Sequence, residues 1–129
     1  MTLWIAGCGL ALSAFVVLAC RHVARHRAFA NRPVLSLEHI KENIAAEVSP
    51  ETVDEVWTRL GRIYSVRPGR IRPEDTLGAF RDVDSWELWA GDDSLAAWLR
   101  ELGLEDKVSV SDTVVGFARM VQAARRRRN

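Results

Sequence analysis

Residues Leu3 to Cys20 read LWIAGCGLALSAFVVLAC, an apolar run without a charged side chain, and Arg21, His22, Arg25, His26 and Arg27 follow at once. At about 1.5 Å per helical residue the run reaches roughly 27 Å, close to the thickness of a bilayer's hydrocarbon core. A helix satisfies its backbone hydrogen bonds internally, so such a run can lie in lipid where an irregular segment cannot. A cleaved signal peptide normally carries basic residues ahead of a shorter apolar stretch, and here only Met1 and Thr2 precede Leu3. An uncleaved anchor accounts for the one-sided basic flank, and the positive-inside rule then places that flank and everything after it in the cytoplasm. The expectation is a single-pass membrane protein with its C-terminal domain cytoplasmic.

Val17-Leu18-Ala19-Cys20 resembles a lipobox, the motif at which bacterial lipoproteins are cut and acylated, so a lipoprotein modified at Cys20 is the alternative. Arginine directly after that cysteine and the absence of a basic residue before the run count against it. Cys8 and Cys20 are the only cysteines, and both lie in the apolar run, so no disulfide can staple the rest of the chain. His22 and His26 share a helical face beside arginines and read as part of a basic interface. No CxxC, HExxH or clustered His/Cys/Asp set suggests a metal.

The net charge of +1 conceals segregation. From Pro33 to Ala124 there are ten Lys and Arg against all seventeen Asp and Glu, a balance of −7. The basic surplus sits at the ends, in Arg21, Arg25, Arg27 and Arg32 and in Arg125 to Arg128. An acidic domain repels phosphate backbones, which argues against nucleic acid as a partner. Three parts follow: residues 1–32 as anchor and basic juxtamembrane segment, 33–124 as an acidic domain with one modest core, and 125–129 as a basic tail. The tail reads as a solvated, frayed helix end or as an adhesion point for anionic lipid headgroups.

Four helical regions can be read in the domain. Ser36 suits the N-cap of a short helix from Leu37 to about Val48. Ser49-Pro50 is a cap and first-turn pair. It opens a helix with Val53, Val56, Trp57, Leu60, Ile63 and Tyr64 on one face at i, i+3, i+4 spacing. Arg67-Pro68-Gly69 stops that helix, and a loop is expected to about Val83. A third region runs from Asp84 to Leu104, with Gly91-Asp92-Asp93 reading as a stop and a new N-cap. The last helix is expected to be capped by Ser111 or Asp112, after a short extended link at Val108-Ser109-Val110. Trp4 suits a membrane interface. Trp57, Trp86, Trp89 and Trp98 fall at helical spacing and read as core. The expected fold class is all-α, a small antiparallel bundle with Trp57, Leu60, Leu99, Leu102, Phe117 and Val121 in one core.

The segment from Val53 to Val121 resembles acyl carrier proteins and their peptidyl-carrier relatives. Tyr64-Ser65-Val66-Arg67-Pro68-Gly69-Arg70-Ile71-Arg72-Pro73-Glu74-Asp75-Thr76-Leu77 is similar to the end of that family's first helix and its long first loop. Ser111-Asp112-Thr113-Val114 is similar to the start of its last helix. The resemblance implies a 4′-phosphopantetheine arm on a serine at the start of the second long helix, where free N–H groups and the helix dipole favour a phosphodiester. Two serines qualify. Gly91-Asp92-Asp93-Ser94-Leu95 carries the motif's letters but lies late relative to the first loop and close to Thr113. Asp84-Ser85-Trp86 has the family's spacing on both sides but has tryptophan in place of leucine. Ser94 is the first candidate and Ser85 the alternative; if neither is modified, Ser94 is a helix cap and no cofactor is expected.

Asp92, Asp93, Glu101 and Glu105 would then form the acidic face that such carriers present to basic protein partners. No enzyme reading survives: His39, the only histidine outside the anchor region, has no evident catalytic partner, and a phosphate-cradling glycine loop is absent. The implied function is a membrane-anchored acyl-carrier-like protein that holds an acyl group or a partner enzyme at the cytoplasmic membrane face. Its rival is an unmodified carrier-fold adaptor that binds a partner protein.

Overall fold

Ser36 and Ser49 cap their helices as their side chains suggest: each accepts a hydrogen bond from the backbone three residues on, His39 and Thr52 respectively. The computed structural model describes residues 9–17, 19–20, 29–83 and 90–129. Among these the domain comprises five α-helices: α1 (Leu37–Asn43), α2 (Pro50–Tyr64), α3 (Leu77–Val83), α4 (Ala90–Leu102) and α5 (Val114–Arg128). A 3₁₀ turn, Pro68–Arg70, interrupts the long first loop. No strand occurs among the described residues; one isolated antiparallel bridge pairs Thr76 with Thr113. The protein is all-α.

The core forms where α2, α4 and α5 meet. Val53, Val56, Trp57 and Leu60 of α2 are fully buried against Trp98 of α4 and Val114, Phe117 and Val121 of α5. Trp98 and Phe117 meet edge to face with centroids 5.2 Å apart. The Trp57 indole donates to the Ile71 carbonyl at 3.0 Å, so a core side chain also pins the first loop. Leu102 is buried as expected, whereas Leu99 is only partly buried and Trp98 takes the central place. Trp86 and Trp89 lie outside the described residues, as does Trp4.

Four boundary expectations are corrected. The first helix ends at Asn43 rather than near Val48, although Ile44 and Val48 remain buried. Residues expected to be loop up to Val83 contain α3, which exists because Leu77 and Phe80 bury themselves in the core. Gly91-Asp92-Asp93 does not interrupt the third region: α4 runs through it from Ala90 to Leu102. The final helix is capped by Thr113, whose hydroxyl accepts the Gly116 N–H at 3.1 Å, while Asp112 accepts the Ser109 N–H instead. Val110 and Ser111 lie in a turn closed by the Asp112 N–H on the Ser109 carbonyl, and the Val110 carbonyl accepts the Gly78 N–H.

The first loop is sewn to the start of α5. Val114 N–H donates to the Asp75 carbonyl at 2.8 Å, Val115 N–H to Pro73 at 3.0 Å, and Leu77 N–H to Asp112 at 3.0 Å. This end of the bundle also holds the C-terminus of α2, because Tyr64 packs on Phe80 with centroids 5.3 Å apart. The other end holds the basic tail. The expected frayed end is instead helical to Arg128: Arg125 pairs with Glu55 near the start of α2, and Arg128 donates to the Glu101 carbonyl of α4. The hydrogen bond that Arg125 donates to Glu55 is the main cause of its raised pKa.

Residues 9–17 are helical and wholly exposed, with Leu10, Leu12, Phe15, Val16 and Val17 each more than half accessible. Among the described residues no helix is long and apolar enough to cross a membrane. The expected span from Leu3 to Cys20 is described only over residues 9–17 and 19–20, and residues 1–8, 18 and 21–28 lie outside the described set.

Candidate functional site

The described site candidates are strung along α4, Asp93 and Ser94 near its start and Glu101 near its end, with Glu105 just beyond it. Ser94 is the fifth residue of α4 and is solvent-exposed, as is Asp93 beside it. Its own N–H therefore falls within the intrahelical ladder, since the unsatisfied amides of a helix belong to its first four residues. Ser94 is not an N-cap. Ser85 lies outside the described residues, and of Asp92 only the helical backbone is described.

Ser94 borders a surface groove of about 600 Å³ whose other wall is the α2 face bearing Asp54, Glu55, Thr58, Arg59 and Arg62. Most charges there are already matched. Asp54 pairs with Lys41 at 2.9 Å, Glu55 with Arg125, and Arg59 with Glu101 at 3.3 Å. Arg59 also stands over the Trp98 ring at 4.7 Å. A smaller apolar crevice of about 130 Å³ lies between Tyr64, Leu77, Leu95, Leu99 and residues 108–110.

The four acidic residues expected to meet a partner do not share one state. Glu101 is engaged by Arg59, and Glu105 by Arg100 at 2.7 Å. Asp93 is exposed. A basic partner would therefore have to compete with internal arginines at two of these positions. Among the described residues no group of three or more His, Cys, Asp or Glu is placed to hold a metal ion. His39 is exposed on α1, where its backbone N–H serves the Ser36 cap.

Sequence reasoning missed the docking of residues 29–35. Phe29 is buried and stacks on Phe80 with centroids 5.4 Å apart. The Arg32 guanidinium donates to Asp75 Oδ2 at 2.6 Å and to the Arg70 carbonyl at 3.3 Å, and it lies 5.0 Å from the Phe29 ring centre. The hydrogen bond that Arg32 donates to Asp75 holds its pKa above the ordinary value, against the opposing effect of burial. Leu35 N–H donates to Gly69 at 2.9 Å, and Arg72 reaches both Gly69 and Pro33 carbonyls. Gly69 is required by this approach: a Cβ there would lie 2.3 Å from the Leu35 carbonyl oxygen. An aromatic and an arginine three residues apart beside an apolar run gave a faint signal, but their partners lie some forty residues downstream.

Comparison of the chain with protein-family models, with curated proteins and with solved structures finds no match.

Proposed function

We propose that the chain is a non-enzymatic, membrane-tethered acyl-carrier-like protein, which presents an acyl group on a 4′-phosphopantetheine arm at the cytoplasmic membrane face. The observation that carries this reading is the path of the first loop, which leaves α2 and meets the start of α5 at the Thr76–Thr113 bridge before entering α3. The bridge joins the two segments that resemble the carrier family, the first loop and the start of the last helix. The exposed apolar helix at residues 9–17 supports the tether. A tether raises the effective concentration of the arm near membrane-bound enzymes.

The arm's attachment point is Ser94 or Ser85. Incubating the full chain with coenzyme A and a promiscuous phosphopantetheinyl transferase, then measuring intact mass, tests this. The reading expects one added arm, abolished by Ser94→Ala or by Ser85→Ala. No added mass on either serine overturns it.

One observation favours a second reading. Ser94 stands inside α4, beyond the free amides that would greet a phosphodiester. An unmodified carrier-like adaptor that binds a partner protein through the Asp93-bearing face of α4 fits that position.

A further inference from the structure

We propose that the end of the bundle carrying the first loop rests on an anionic bilayer surface, with Val34 and Val110 as apolar contacts and Arg67 and Arg70 as headgroup contacts. The inference rests on the membrane-anchor reading and adds an orientation to it. The chain that follows the apolar run enters the domain through Phe29, Arg32 and Leu35, which dock on Phe80, Asp75 and Gly69. The first-loop end is therefore the end at which the chain from the apolar run enters the domain.

The surface of that end matches a bilayer in two independent ways. Outside the helix at residues 9–17, the only large hydrophobic side chains more than half exposed among the described residues are Val34 and Val110, at 53% and 57%. Both are here: Val34 lies over Gly69, and the Val110 carbonyl binds Gly78 next to Leu77. The charge is also suited. Arg67 is exposed and Arg70 partly so, while Asp75 is taken up by Arg32 and Asp112 by the Ser109 amide. Glu74 is the exposed carboxylate of the loop, and Lys107 and Asp106 offset one another on the Val110 side. The four-arginine tail lies at the opposite end, where Arg125 and Arg128 are latched to Glu55 and Glu101. It faces away from the lipid.

The test uses the full chain with Cys8 and Cys20 replaced by alanine, in phosphatidylcholine vesicles with and without phosphatidylglycerol. A fluorophore is placed on a single cysteine at Val34→Cys, Val110→Cys or Arg126→Cys, and quenching by doxyl-labelled lipid is read. Quenching at positions 34 and 110 but not at 126, strongest with phosphatidylglycerol, is the expected result. Arg67→Ala and Arg70→Ala should each lower the lipid-facing population about fivefold in the anionic vesicles alone. Protein that fails to float with the vesicles overturns the anchor reading and this inference together. Protein that floats but shows equal quenching at all three positions, or strongest quenching at 126, overturns the orientation only.

Discussion

Arg32 and Asp75 stand forty-three positions apart in the chain and meet at 2.6 Å. The Asp75 carboxylate also accepts the Arg72 N–H at 2.8 Å, and its backbone carbonyl accepts from Val114. One residue thus joins the segment ahead of α1, the first loop and the start of the last helix. Asp75 is buried and Arg32 about a third exposed, so the pair is better shielded than an ordinary surface ion pair.

Replacing Asp75 by alanine should destabilise the domain by about 1–3 kcal/mol, because it strands a part-buried guanidinium and a backbone amide. Arg32→Ala should cost less, and a double-mutant cycle in urea should show coupling between the two. Additive effects would contradict the joint described above.

Gly69→Ala should loosen the segment ahead of α1 without unfolding the core. Its Cβ would collide with the Leu35 carbonyl and the Val34 side chain, both in the docked segment, whereas Trp98 and Phe117 pack where α4 meets α5. Amide hydrogen exchange should quicken at Leu35 and stay slow in α2.

Phe80→Ala should be far more damaging, at about 3–5 kcal/mol. Phe80 is fully buried and touches both Phe29 and Tyr64, so its loss opens a cavity under the dock. Chemical denaturation monitored by tryptophan fluorescence checks the magnitude.

Ser65 caps α2 in the left-handed region at φ 55°, ψ 39°. Ser65→Gly should stabilise the fold by about 0.5–1 kcal/mol, because glycine takes that conformation without a Cβ clash. A fall in melting temperature would contradict it. Gly103, at φ 71°, already plays this part after α4.

The elements that could be read from the sequence were those set by local chemistry. Ser36, Ser49 and Pro50 announce helix starts because capping is satisfied within one turn, and the Val53-to-Tyr64 stripe announces a buried face. The missed features depend on distant partners. In α3 only Leu77 and Phe80 are buried among the residues whose side chains are described, too few to outweigh the loop signals around it. Ser111, Asp112 and Thr113 are all good caps, and the choice falls to Thr113 because Asp75 and Pro73 bind the two amides after it. Ser94 reads as a cap by its neighbours, yet α4 begins before it, so the helix's free amides lie upstream. The Arg32–Asp75 joint has no local signature at all.

The most direct test of the membrane-tethered carrier is the intact mass of the full-length protein extracted from the membranes of the cells that make it. The account predicts recovery in the membrane fraction with the anchor retained and one phosphopantetheine arm, lost on replacing the serine that bears it. A mature N-terminus at Cys20, recovery in the soluble fraction, or an unmodified mass from the membrane would contradict it.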